Sequence, residues 1–238
     1  MDASITVCEV PASRGAGWIG ESFRLFRGQA LLWLGLCAGW IVITLGLMLV
    51  PIIGVVASNF LQPVFFASFA ITAHKQRAGE KVDMNDLFTG FRHHVRELIN
   101  LGALLLLAQL AILIIMAILG LPTMSTADQE LSVQEYVEML RGKEWILAVG
   151  FLLTALIKGA LWFAPPLIAF HGMSTGQAMR WSLYAAIANF GAMLVYGSAL
   201  LLLFLVAIIP WALGLIVVIP LAAISSYVGY REVFEPAT

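Results

Sequence analysis

From Gly28 to Ala73 the chain carries no charged side chain, and from Trp181 to Tyr230 it again carries none. A membrane span needs about 20 mainly apolar residues, so each run is long enough for two spans and a turn. In lipid every backbone N–H and C=O must be satisfied within the protein, and helices do this inside one segment. The fold class expected is therefore all-α: a polytopic membrane protein with six transmembrane helices. Composition agrees. Apolar residues make up 61% of the chain and charged residues 11%, against roughly 45–50% and about 25% in a soluble domain.

Proline and glycine divide the runs. Pro51 and Gly54 break the first into spans over 29–49 and 54–74, because proline lacks a backbone donor and glycine weakens a helix. A third span covers 98–121, ending before Pro122, and a fourth covers 145–170. The last two lie within 181–230 and meet near Pro210, Trp211 and Gly214. Residues 1–17 are mixed polar with acids at Asp2 and Glu9 and read as a cytoplasmic N-terminal tail. They do not form a cleavable signal peptide, so the first span itself serves as the insertion signal. Residues 18–238 read as a single transmembrane domain.

Basic residues set the expected orientation. With the N-terminus inside, the inner segments hold Arg14, Arg24 and Arg27, then Lys75, Arg77, Lys81, Arg92 and Arg96, then Arg180 and Arg231. The outer segments hold only Arg141 and Lys143. Both termini are expected in the cytoplasm. The acidic outer segment 123–144 carries Leu131, Tyr136, Val137 and Leu140 at helical spacing, which predicts a short amphipathic surface helix.

The same phrase occurs three times, over about 18–75, 84–171 and 176–231. It consists of a short amphipathic stretch, an uncharged span, and a return span carrying proline: Pro63, Pro165–Pro166 and Pro220. This predicts three hairpins, each opened by a helix lying in the headgroup plane with aromatic residues on one side and arginine on the other. The aromatic faces are Trp18, Ser22, Phe23 and Phe26; then Leu87, Phe88, Phe91, Val95 and Leu98; then, more weakly, Met179, Trp181, Leu183 and Tyr184. The matching prolines predict three matching kinks, each followed at the cytoplasmic edge by His74, His171 or Tyr230.

The opening Val10, Pro11, Ala12, Gly15 and the helix Phe23-Arg24-Leu25-Phe26 resemble the start of an uncharacterised proteobacterial inner-membrane protein family catalogued under a Burkholderia locus tag. The likeness extends over nearly the whole chain. More loosely, the six-span layout is similar to the membrane domain of glycerophosphodiester phosphodiesterases, without their catalytic domain. The resemblance implies an inner-membrane location and no established activity, and it supplies no functional residues.

Candidate chemistry rests on few side chains. Lys158 is a charge within a span, which marks a functional candidate; it faces an anion-binding crevice or snorkels to the outer headgroups. Asn59 and Gln109 are the polar span residues expected beside a transport path, if they do not simply bond between helices. Arg24, Arg27, Lys75, Arg77, Arg92 and Arg96 form a basic inner face suited to anionic lipid headgroups. His93 and His94 are adjacent and so point apart on a helix, which makes a poor chelating pair. Neither they nor Cys8 and Cys37 predict a metal site or a disulfide framework. Gly35 and Gly39 have the spacing of a close helix contact, within the chain or between protomers.

There is no paired intramembrane carboxylate, no HExxH and no GxxxxGK[ST] loop, so neither catalysis nor a cofactor is expected. A net charge of -1 offers no basic field for nucleic acid. The reading is a non-enzymatic scaffold, assembly factor or regulator with membrane lipids, a protein partner or a second copy as its contacts. The alternative is a small transporter or lipid-handling protein with its crevice at Lys158.

Overall fold

A computed structural model describes residues 5–121, 138, 140–209, 211 and 213–235. Among them every regular element is a helix. Helix α1 (Arg14–Gly28) leads to α2 (Ala30–Met48), which turns back into α3 (Ile53–Arg77). A 3-10 helix (Met84–Arg92) leads to α4 (Val95–Ile118), followed by α5 (Glu144–Trp162) and α6 (Ala164–His171). Helix α7 (Thr175–Ala188) leads to α8 (Phe190–Ile208) and α9 (Leu215–Phe234). Six segments are long and apolar enough to cross a membrane: α2, α3, α4, α5 with α6, α8 and α9. The predicted amphipathic helix of 123–144 falls almost wholly outside the described residues.

Each opening segment ends in a one- or two-residue break before its span. The break residues are polar: Gln29 at φ −146°, His94 at φ 48° and Asn189 at φ −106°. The opening segments then pack in a regular way. The 3-10 helix lies on α3 and α2, α7 lies on α5 and α6, and α1 lies on α9 and α8. The 3-10 helix therefore sits on the span pair before it and α1 on the last pair, while α7 sits on the two halves of the return span before it. The proline-bearing helices are inside this ring. α3 touches both α9 and α6, and α9 is the most enclosed span while α2 and α8 are the least.

Several expectations are corrected by the packing. The face of α1 carrying Trp18, Ser22 and Phe26 is buried in protein, with Trp18 wholly enclosed. A Cβ on Gly15 would run into the Ala192 carbonyl, so α1 meets α8 backbone to backbone. The buried face of α7 is not the aromatic one. It is Thr175, Ala178, Ser182, Ala185 and Ala186, while Tyr184 is exposed; small side chains let α7 come close to α5.

The second opening is a 3-10 helix instead of an α-helix. Asp83 accepts from Asn85 N–H, and Asp86 reaches back to the Asp83 N–H at 2.9 Å, which winds the start tightly. With three residues per turn, Leu87 and Gly90 share one buried face. That face covers α3, where the Gly90 N–H donates to Ser68 Oγ at 2.8 Å.

The three prolines do not give three matching kinks. α3 continues through Pro63 and α9 through Pro220. Only the second return breaks, at Phe163, where Pro165 and Pro166 together remove two consecutive donors. Ser182 of α7 repairs that break: it accepts from Phe163 N–H at 2.9 Å and donates to Gly159 C=O at 2.8 Å. At Pro63 the freed carbonyl is that of Asn59, and α4 closes over it at Gly102, where a Cβ would lie 2.5 Å from that oxygen.

The tail and the glycine pair also differ from expectation. Helix α1 begins at Arg14, inside the stretch read as tail, and the residues before it are pinned. Cys8 N–H donates to Val233 C=O at 2.8 Å and Val10 N–H to Asn189 Oδ1 at 2.8 Å. Gly35 and Gly39 face Met84 and Leu87 of the 3-10 helix, so that contact lies within the chain.

Candidate functional site

The end of the bundle that holds α1, the 3-10 helix, α7 and the described ends of the chain is its base. Three return helices finish there and bring their polar residues together. His74, near the end of α3, places Nδ1 3.1 Å from the Tyr227 hydroxyl of α9. His171, the last residue of α6, places Nε2 2.7 Å from the Tyr230 hydroxyl. Tyr230 donates its only proton to Glu235 at 2.8 Å, so its oxygen accepts from His171, whose Nε2 carries the hydrogen. Phe170 fills the centre, stacked on Tyr230 at 5.4 Å and tilted against His74 at 5.2 Å.

His74, His171 and Tyr230 were the three edge residues picked out by the repeat, and the structure brings all three into one cluster. Tyr227 was missed. Its signal was the three-residue spacing to Tyr230, which puts both hydroxyls near one side of α9.

Beside this cluster a cavity of about 400 Å³ opens between α3 and α9, lined by His74, Arg77, Ala78, Tyr227, Arg231 and Glu235. Arg77 has one loose ion-pair partner, Glu21 at 3.8 Å. Both arginines stand near enough to Tyr227 for their charges to act on its hydroxyl.

The other basic residues divide into two groups. Lys75 is held by Asp86 at 2.6 Å and ties α3 to the 3-10 helix. Arg24, Arg27, Arg92 and Arg96 are exposed at the base and in no ion pair among the described residues. Arg27 lies over the Phe23 ring at 5.9 Å. Arg14 instead pairs with Glu232, which also accepts from Trp18 Nε1 at 2.8 Å. The hydrogen bond and the charge of Glu232 raise the Arg14 pKa above its ordinary value.

Lys158 is exposed on α5, and its stem lines a crevice of about 100 Å³ with Gln62, Pro63, Leu105 and Trp162. The Trp162 Nε1 in that crevice has no hydrogen-bond partner among the described residues. Asn59 and Gln109 do not join it. Asn59 donates to Val55 C=O of its own helix at 2.9 Å, and Gln109 is exposed on α4. Among the described residues no three His, Cys, Asp or Glu side chains converge as a metal site would require. His93 and His94 are exposed, with His94 forming the break before α4.

Comparison with known proteins finds a relative whose description names a location and no activity. The chain is 28% identical over 201 residues to a protein of Burkholderia thailandensis described as a probable inner membrane protein, covering 79% of this chain and 73% of that protein. No family model and no solved structure matches, so the looser likeness to the membrane domain of glycerophosphodiester phosphodiesterases has no counterpart here. Six helices suited to spanning and this relative together describe a multi-pass membrane protein similar to a probable inner membrane protein.

Proposed function

We propose that the protein is a non-enzymatic component of the bacterial inner membrane, a scaffold, assembly factor or regulator that works through lipid and helix contacts at its base. The observation that carries this reading is the split among its basic side chains. Lys75 and Arg14 are committed to internal ion pairs, while Arg24, Arg27, Arg92 and Arg96 stand exposed beside the aromatic residues Phe23 and Phe88. Exposed arginine and aromatic rings at one end of a bundle suit an anionic headgroup layer, each basic residue contributing about 1 kcal/mol near such a surface. The excess of basic residues on the segments at this end supports a cytoplasmic base, with both termini inside.

The test is lipid co-purification from a membrane containing phosphatidylglycerol. The combined variant Arg24→Gln, Arg27→Gln, Arg92→Gln, Arg96→Gln should lose most of its bound phosphatidylglycerol while still folding. Unchanged retention would sink the reading. Labelling of single cysteines at residues 24 and 141 in intact cells checks orientation: only the second should react from outside.

The transporter or lipid-handling reading draws on the crevice at Lys158, with Gln62 and Trp162 beside it. Its volume of about 100 Å³ falls below the roughly 300 Å³ at which small-molecule sites begin. Lys158→Ala should therefore leave lipid co-purification and thermal stability in detergent as they were.

A further inference from the structure

The cavity between the ends of α3 and α9 is unaccounted for by the exposed arginine face, none of whose four residues lines it. At about 400 Å³ it falls within the roughly 300–1,000 Å³ of small-ligand sites. Its walls bring two guanidinium groups from different helices to one space. Arg77 comes from the last turn of α3 and Arg231 from the last turn of α9. Arg77 has only the long contact to Glu21, and none of the described ion pairs takes Arg231. A guanidinium offers a planar fork of donors that matches phosphate oxygens two at a time. The Tyr227 hydroxyl and the His74 ring lie against the same wall and are already fixed to each other at 3.1 Å. Glu235 stands on the opposite chemistry: its carboxylate, oriented by Tyr230 at 2.8 Å, gives the cavity an acceptor.

We propose that this cavity binds a phosphate ester whose head group carries an ammonium or hydroxyl donor. Arg77 and Arg231 hold the phosphate, Tyr227 and His74 form the wall it lies against, and Glu235 takes the donor. The cavity opens at the base, among the segments that precede and follow the spans, so two sources present this chemistry there. One is the head group of a membrane lipid and the other is a free phosphorylated amine or alcohol.

The test uses the full chain in phosphatidylcholine nanodiscs, with thermal protection as the readout. The probes are soluble phosphoethanolamine, inorganic phosphate, and nanodiscs doped with phosphatidylethanolamine. Protection by soluble phosphoethanolamine identifies a free ligand; protection only in the doped nanodiscs identifies the lipid. Either supports the site. Arg77→Gln with Arg231→Gln should weaken the active probe by about a hundredfold, roughly tenfold for each arginine whose charge-assisted hydrogen bonds are removed. Arg231→Lys should keep part of the affinity. Glu235→Gln should erase the preference for phosphoethanolamine over inorganic phosphate, and Tyr227→Phe, which changes one hydroxyl, should weaken binding several-fold with the fold intact. Absence of protection by all three probes, or equal protection of wild type, Tyr227→Phe and Glu235→Gln, overturns the proposal. The exposed arginine face is unaffected by these variants, so the two readings fail separately.

Discussion

The first and third units of this chain use one backbone and two chemistries. Helices α2 and α8 have the same length, 19 residues, and they are in register end to end, Ala30 with Phe190 and Met48 with Ile208. The opening helices follow the same register. Gly15, Trp18, Ser22 and Phe26 of α1 correspond to Thr175, Ala178, Ser182 and Ala186 of α7, and all eight are buried. The break residues Gln29 and Asn189 correspond as well, and so do Gly54 and Gly214, each pressed against the helix that precedes it. Yet one buried face is built around a tryptophan and a phenylalanine, and the other around alanines. Position in the fold is shared, whereas the means of filling it depends on what lies opposite. α1 meets Gly229 and Glu232 of α9, which leave room for an indole ring. α7 meets Gly159 and the broken helix at Phe163, which need a close backbone and a hydroxyl.

The largest test of that contrast is Trp18→Ala. It empties a fully enclosed site between α1 and α9 and should cost about 3–5 kcal/mol in reversible unfolding from detergent. Ala178→Gly, at the matching position, should cost only about 1 kcal/mol. Equal losses would break the comparison. Next comes Glu232→Ala, which strips both Trp18 Nε1 and Arg14 of their acceptor. A loss of about 2–3 kcal/mol is expected, with α1 released first in hydrogen exchange.

The matched serines should differ in the opposite sense from Trp18 and Ala178. Ser182→Ala orphans the Phe163 N–H beside the double proline and should cost about 1–3 kcal/mol. Ser22 donates only to Trp18 C=O of its own helix, so Ser22→Ala should stay within about 0.5 kcal/mol. A small effect is also expected at Gly35→Ala, where the new methyl meets the flexible end of Met84 and the loss should be under about 1 kcal/mol. At Gly102 the same change meets the Asn59 carbonyl and should cost more.

The second unit shows where pattern reading ran out. Its spacing of apolar residues over 87–98 suited an α-helix, and a 3-10 helix formed because Asp83 and Asp86 cap it tightly and Ser68 receives the Gly90 N–H. The double proline was legible, but its outcome was not. Pro165 and Pro166 free the Leu161 and Trp162 carbonyls, and the break they cause also opens the Phe163 N–H and Gly159 C=O, which a serine on the next unit bridges. The candidate site was legible in part. His74, His171 and Tyr230 stood out as edge residues of the repeat, while Arg77 read as one member of a basic headgroup face and Arg231 only as an orientation signal. Asn59 and Gln109 were chosen for being polar within spans, and polarity alone does not say which way a side chain faces.

What the sequence determined on its own is the number and approximate placement of the spans, because uncharged length against membrane thickness is a one-dimensional constraint. It also marked the repeat, since hydropathy and proline recur along the chain. The tertiary structure alone decided which spans each opening segment packs on, that α1 closes the ring on α9, and that two arginines far apart in the chain share one cavity. Those outcomes depend on which faces fit together at close range, and fit between faces is set by the shapes of both partners at once.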